Sequence, residues 1–270
     1  MAKVAVVTDS ASELLPEVEA ELEIATVPHR IYFGEQSFRD GVDITAPQFF
    51  RRVAHTNLMP ISSPPTLSDF QEVYAKLAEE ADQIISIHVS RKLSETLRIA
   101  TQAMQPFLGR CRIVPFDSQL ISVGQGFLVT TAAQIAQEGA TVDEIIRLLR
   151  GIIPHIYIVF FARELQYLER GGYLSHAQTI LGSMLGVRPL SIVEDGEIQP
   201  LEKVRSRARA LGRLAEFVAE FSHIETATLL YSSSPAEVRE AAERLRFVFP
   251  EMEVDSASYG MVLATHIGPG

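Results

Sequence analysis

Cysteine is nearly absent: Cys111 is the single one in 270 residues. No internal disulfide can form, so a disulfide-framed secreted scaffold is excluded. The flanking "RCRIVPF" has the make-up of a strand, and a thiol there is expected to be buried and inert. Positive charge is scarce as well, with 24 Lys and Arg against 34 Asp and Glu. A net charge of −10 and a pI near 5.2 argue against broad binding to nucleic acid or anionic membrane, although a local basic patch stays open. No apolar run approaches the roughly 20 residues of a membrane helix. The apolar stretch in "MAKVAVVTDS" is too short for a signal peptide. The expectation is a soluble cytoplasmic protein. Metal-ligand spacing is missing, since the seven histidines are scattered and neither HxxxH nor CxxC occurs. There is no G-x-S-x-G elbow, and Gly124-Gln125-Gly126 lacks the third glycine of a dinucleotide fingerprint.

Hydrophobic residues, by contrast, make up 47%, enough to fill the cores of one large or two ordinary domains. The first half alternates strand and helix. "KVAVVT", "TVPHRIYF", "QIISIHV" and "CRIVPF" are apolar, β-branched runs that read as strands. Between them, Leu14, Leu15, Val18 and Leu22 recur at helical spacing. "TAPQFFRRVAHT" is a helix capped by Thr45 with Pro47 in its first turn, and "SDFQEVYAKLAEE" sets Phe70, Val73, Tyr74 and Leu77 on one face. "SETLRIATQAM" and helices at about 121–137 and 141–150 follow, the last with a Thr141/Glu144 capping box. Strands apolar on both faces, alternating with helices, predict a mostly parallel sheet with helices on both sides. "GIIPH" breaks the pattern. Beyond it come "IYIVFF", two helical pieces, a hairpin turning at Asp195-Gly196 and a long helix from about Arg205. "TATLLYS", a helix after a Ser234-Pro235 cap and "EMEVDSAS" close the series. The expectation is an α/β protein of two domains: residues 1–153 around the parallel sheet, and a smaller α+β domain at 154–270.

In such a sheet, ligands bind at the carboxyl ends of the strands. The loops there hold "TDSAS", "HVSRKLS" and "FDSQLIS", all rich in hydroxyls. Asp9, Ser10 and Ser12 serve either as caps of the following helix or as ligand groups. "MPISSPPT" has three prolines in eight residues, a composition that forbids regular structure. It predicts a rigid loop, either a linker or a mount for Ser62, Ser63 and Thr66. Ser94 opens a helix with Thr96 beside it, where a hydroxyl and free N–H groups either suit an anion or cap the helix. Asp117 and Ser118 follow "CRIVPF" in the same way, and close helix–sheet packing accounts for Gly124 and Gly126 as well as a ligand would. "KVRSRARALGR" places five cations within eleven residues, as a solvated face or a docking surface. Cations in a helix's first turn oppose its dipole. "THIGPG", from Thr265 to Gly270, brings a hydroxyl and an imidazole directly after the apolar "MVLA". It reads as a strand end carried to the ligand edge, so that deleting it costs ligand binding more than folding.

In order, "VTDSASELLP", "MPISSPPT", "HVSRKLSETLRIA", "VPFDSQLISVGQG", "LQYLERGGYLS", "RPLSIVEDGEIQPLEKVRSRARAL" and "THIGPG" resemble the DegV family of bacterial fatty-acid-binding proteins across essentially the whole chain. The resemblance implies a two-domain α/β protein holding one long-chain fatty acid, of the C16–C18 type, at the domain interface, with no other cofactor. It implies that the carboxylate is held by Ser62, in a TSQPS-like loop, and by Ser94, in an SGT-like helix start, with Thr265 and His266 nearby. Asp9, Ser10, Ser63, Thr66, Thr96, Asp117, Ser118 and Gly268 then support the site. It further implies a carrier, not an enzyme, which presents the fatty acid to a separate kinase subunit for acyl-phosphate formation. Arg170, Arg205, Arg207 and Arg209 are the candidates for docking that partner. Three residues depart from the pattern: the glutamine of TSQPS is lost, Glu95 replaces a glycine, and Tyr173 replaces the arginine of GGR. Glu95 must point away, or its charge weakens a carboxylate site.

The chemistry of such a ligand is uneven along its length. Burying roughly 14 methylenes at about 0.8 kcal/mol each offers on the order of 11 kcal/mol before ordering costs. An unpaired buried carboxylate would cost several kcal/mol. Short hydrogen bonds from Ser62 and Ser94 offset that cost, and a protonated His266 adds a positive charge. Ile156, Ile158, Phe160, Leu165, Leu168, Ile180, Leu181, Met184 and Leu185 are slot walls or ordinary core. The alternative is an enzyme, either a Ser94/His266 acyl hydrolase or a phosphotransferase with Asp9 and Asp117 as its acids.

Overall fold

A computed structural model describes residues 3–162, 164–232 and 235–269. The chain opens on β1 (Val4–Asp9), every residue of which is buried. Asp9 caps a 3-10 turn at Ser10–Ser12, not the helix beyond it; α1 (Pro16–Glu21) starts on its own proline with no side-chain cap. The expected single strand over "TVPHRIYF" is two, β2 (Ile24–Val27) and β3 (Arg30–Phe33). Pro28 between them cannot donate to a ladder, so the chain leaves one sheet and enters another. β3 pairs antiparallel with β4 (Gln36–Arg39), and α2 (Ala46–Ala54) follows behind Thr45.

The proline-rich stretch corrects the sequence reading. Ile61–Ser63 forms a short strand, β5, antiparallel to β3, with Ser62 opposite Ile31. Pro60 and Pro64 flank the strand and leave its ladder intact. Then come α3 (Leu67–Leu77), β6 (Gln83–His88), α4 (Thr96–Ala103), β7 (Arg112–Asp117), α5 (Val123–Gln137) and α6 (Val142–Ile152). The order β2-β1-β6-β7 makes one all-parallel sheet. Its strands alternate by twos: Val4 and Val6 face the core under α5 and α6, while Ala5 and Val7 face the core under α3 and α4. Cys111 is buried, and burial raises its thiol pKa.

After a turn at Ile153–His155, the chain forms β8 (Ile158–Phe161), α7 (Leu165–Arg170), α8 (His176–Met184), β9 (Arg188–Glu194) and β10 (Glu197–Val204). These three strands form an antiparallel sheet in the order β10-β9-β8. The β9–β10 hairpin turns at Asp195 and Gly196, both at positive φ. Its tip docks on the first half: Ser90 Oγ donates to the Gly196 carbonyl at 2.7 Å, and Lys92 pairs with Glu197 at 2.9 Å. α9 (Arg207–Ala219), β11 (Thr226–Tyr231), α10 (Ala236–Val248) and β12 (Glu253–Ser258) make a separate parallel pair with a small core of its own. Ser234, the expected cap of α10, lies outside the described residues.

The terminal motif is a second correction. Met261–Ile267 is a helix, α11, rather than a strand end. It begins at Gly260 and buries Met261, Val262, Leu263, Ala264, Thr265 and Ile267 against α7, β5 and the Ser10–Ser12 turn. An apolar run of this kind serves either element, and here burial on nearly all sides selects the helix. Gly268, at φ 93, ends it. Removing residues 265–270 therefore also removes buried core. The glycine pair in α5 is a packing feature. A Cβ on Gly124 would lie 2.8 Å from Ile158, and one on Gly126 2.5 Å from the Ser12 carbonyl.

Candidate functional site

The loop after β6, strand β5 and helix α11 converge on one cavity of about 270 Å3. The loop brings Arg91, Lys92, Leu93, Ser94 and Glu95; β5 and its flank bring Ser62, Ser63 and Pro64; α11 brings Val262 and His266. His29, in the break between β2 and β3, completes the lining. Four residues expected at the site from the sequence, Ser62, Ser63, Ser94 and His266, thus face one space. A shallower depression of about 470 Å3, between the end of α5 and α6, contains none of them.

Two sets of side chains support the cavity. The first runs down into the parallel sheet. Ser94 Oγ lies 2.7 Å from Thr96 Oγ1 and accepts the Thr96 N–H at 3.3 Å. Thr96 Oγ1 is 3.1 Å from His29 Nε2, and His29 Nδ1 is 3.6 Å from Asp9 Oδ1. Asp9 accepts the N–H groups of Ala11 at 3.0 Å and Val89 at 3.1 Å, and bonds His88 Nδ1 at 2.9 Å. The chain ends through Ser86 on the Tyr74 hydroxyl. Asp9, His29, His88 and Thr96 are all buried. Burial alone would push the Asp9 carboxyl up, but the His88 bond, the neighbouring His29 and His88 rings and the Val89 N–H together outweigh it and hold its pKa below the ordinary value. Burial pulls the His29 pKa down despite Asp9. Ser10 accepts the His29 N–H at 3.0 Å and donates to Asp40 at 2.8 Å; burial pushes Asp40 up to about 7.

The second set belongs to α11 and the turn after α7. Thr265 Oγ1 donates back to the Val262 carbonyl at 2.7 Å, which leaves it an acceptor for the Ser62 hydroxyl, also at 2.7 Å. His266 Nδ1 lies 2.9 Å from the Tyr173 hydroxyl. Burial, reinforced by His29, pushes His266 down to about 4. The expected protonated His266 is therefore corrected: at pH 7 the imidazole is neutral and acts through hydrogen bonds. Under the start of α11, Glu13 accepts the Ser122 hydroxyl at 2.6 Å, and burial pushes its carboxyl up to about 8.

The remaining candidates sit away from the cavity lining. Thr66 is exposed and caps α3, accepting the Asp69 N–H at 3.2 Å. Asp117 accepts the Arg91 N–H at 3.2 Å and orders the cavity loop from behind. Ser118 closes a local turn with Leu120. The Gly268 carbonyl accepts the Tyr259 hydroxyl at 3.1 Å. Arg170 donates to the carbonyls of Met59 and Pro60 at 3.3 and 3.2 Å, clamping the chain as it enters β5. Arg205, Arg207 and Arg209 are exposed where α9 begins. Glu95 stands at the rim of the cavity, with its side chain largely exposed and its carboxylate paired with Arg98. Of the apolar candidates, Leu165 and Leu168 are buried and Ile156, Ile158 and Phe160 half-buried, whereas Ile180, Leu181, Met184 and Leu185 are exposed.

The hydrolase arrangement is not formed here. Ser94 bonds Thr96 and not His266, and the Nδ1 partner of His266 is a phenol, not a carboxylate. Asp9 and Asp117 are engaged elsewhere, and no cluster of potential metal ligands occurs among the described residues. Sequence reasoning missed His29, Asp40 and His88. His29 lay inside an apparent strand, and nothing in its neighbours announces Thr96, 67 positions away. His88, a polar residue ending an apolar strand beside a hydroxyl-rich loop, was the one available signal.

Comparison with known proteins follows the same outline. A family model described as "Uncharacterised protein, DegV family" matches residues 3–270. A DegV domain-containing protein of Halalkalibacterium halodurans is 33% identical over 274 residues, covering 100% of this chain and 96% of the relative. The crystal structure of DegV from Bacillus subtilis, described as a fatty acid binding protein, superposes with a TM-score of 0.89 at 29% identity, covering 100% of this chain and 97% of that one. A Thermus thermophilus DegV family protein, whose structure is described as fatty acid binding, gives 0.86 at 30% identity with the same coverage.

Proposed function

Because the chain belongs to the DegV family, we propose that it binds a long-chain fatty acid, with the carboxylate between Ser62 and Ser94 and with Thr265 and His266 beside it. The observation that carries this reading is the convergence of Ser62, Ser94 and His266 on one cavity, with Thr265 bonded directly to Ser62. A carboxylate offers acceptors only, and Ser62, Ser94 and His266 each have an O–H or N–H to donate. Ser62 holds a single hydroxyl partner and Ser94 a neighbouring threonine, so both can turn their protons to an entering anion. The acyl chain runs from this polar end among the apolar side chains of residues 154–270, which we treat as a second domain closing on the first, residues 1–153.

In this reading the protein is a carrier without turnover, acting in the cytoplasm and presenting the carboxyl group to a separate kinase. The exposed Arg205, Arg207 and Arg209 make the docking surface for that partner. Arg170, which holds the Met59 and Pro60 carbonyls, is the fourth candidate for that docking. No helix among the described residues is long and apolar enough to cross a membrane. Native mass spectrometry of the protein purified from bacteria tests the reading. A co-purifying mass of a C16–C18 fatty acid is the expected result, and protein that stays empty while hydrolysing acyl esters contradicts it.

A further inference from the structure

The turn after α7 is built to aim one side chain. Gly171 and Gly172 precede Tyr173, and Gly172 adopts φ 79. A Cβ on Gly171 would lie 2.3 Å from Tyr173 Cε2 and 2.7 Å from its Cδ2, so the ring lies directly on the Gly171 backbone. The Tyr173 N–H donates to the Leu168 carbonyl at 2.9 Å and fixes the residue to the end of α7. So held, the hydroxyl meets His266 Nδ1 at 2.9 Å, with the two ring planes tilted by 45°. We propose that Tyr173 is a positioning residue that fixes His266 as the Nε2–H tautomer and so makes the cavity selective for an ionised carboxylate. This inference rests on the carboxylate reading given above.

The selectivity turns on donors and acceptors. A neutral imidazole has one N–H and one lone pair, and the partner at one nitrogen decides what the other presents. His266 lines the cavity and its Nδ1 is taken by Tyr173, leaving Nε2 for a ligand. Burial keeps Tyr173 protonated, its pKa pushed up to about 12, and keeps His266 neutral at pH 7. When the phenol donates to Nδ1, Nε2 must carry the proton and donates to a carboxylate oxygen. The opposite tautomer would turn a lone pair toward the anion. Together with Ser62 and Ser94, the Nε2–H tautomer gives a cavity of donors. Such a cavity favours a carboxylate over an ester of the same chain, which carries no charge to strengthen these bonds.

Nitrogen-15 NMR of histidine-labelled protein, combined with binding of palmitate and methyl palmitate, tests this. In the wild type the His266 Nδ1 resonance is expected in the unprotonated range and Nε2 in the protonated range, with palmitate preferred over its ester. Tyr173→Phe is expected to mix the tautomers and weaken palmitate binding about tenfold, the scale of one hydrogen bond to a charged group, with ester binding unchanged. Gly171→Ala, which displaces the same ring, is expected to do likewise. His266→Gln keeps an N–H donor that Tyr173 does not control. In that background Tyr173→Phe is expected to change palmitate affinity by less than about twofold. A wild type that binds acid and ester equally overturns the carboxylate reading and this inference with it. A wild type that discriminates, with a Tyr173→Phe variant that keeps both tautomer and preference, overturns this inference alone.

Discussion

The two sides of the cavity are built differently. On the side of the parallel sheet, Ser94 is backed by Thr96, His29, Asp9 and His88, all buried and most holding two or more partners. On the side of α11, Ser62 rests on Thr265, and His266 on Tyr173, with one side-chain bond each. A dense buried network becomes part of the core, because every polar group within it depends on the others for satisfaction. A sparse one is free to exchange its bonds for those of a ligand. The sheet side should therefore answer mutation with lost stability, and the helix side with lost affinity.

The strongest way to break that contrast is Asp9→Ala. It strips His88 and the N–H groups of Ala11 and Val89 of their acceptor, and the expected loss of unfolding free energy in urea is about 3–5 kcal/mol. Next is Glu13, whose carboxyl is buried beneath the start of α11. The unfolded chain loses this proton near 4.5, while the folded protein holds it to about 8, so stability falls as pH rises through that window and levels off above it. Glu13→Gln removes this loss. The variant should gain on the wild type by more than about 1.4 kcal/mol between the two ends of the window, one pKa unit's worth. Asp40 titrates in the same sense in both proteins, and only its coupling to Glu13 survives in the difference.

A matched pair sharpens the contrast further. Thr96→Val and Thr265→Val delete one hydroxyl each at nearly constant shape. Thr96→Val leaves His29 Nε2 buried without its partner and should cost about 1–3 kcal/mol of stability. Thr265→Val should cost under about 1 kcal/mol of stability, yet weaken fatty-acid binding about three- to tenfold, because Ser62 loses the group that orients it. Equal stability losses in the two variants, with affinity untouched, would erase the distinction.

The same contrast governs how much was legible in the sequence. The parallel sheet was, because continuous apolar, β-branched runs and capped amphipathic helices are local signals; Thr141 and Glu144 form their capping box as spelled. The place of Ser94 was legible too, since it lies between a sheet strand and the start of a helix, two residues before Thr96. The helix side was not. β5 was hidden by its flanking prolines, and α11 by an apolar run too short to show a period. The Ser62–Thr265 bond spans 203 positions, a distance over which only the folded chain or a family resemblance speaks. The charge of His266 was misjudged for a related reason: exposure sets an imidazole's pKa, and exposure is a property of the fold.

The central claim is that Ser62 and Ser94 hold a carboxylate. It is tested most directly by measuring dissociation constants of palmitate and methyl palmitate for the wild type and for the Ser62→Ala/Ser94→Ala variant. The account predicts that the wild type prefers the acid, and that the double variant binds both through the acyl chain and loses that preference. An unchanged preference for the acid in the double variant would contradict it.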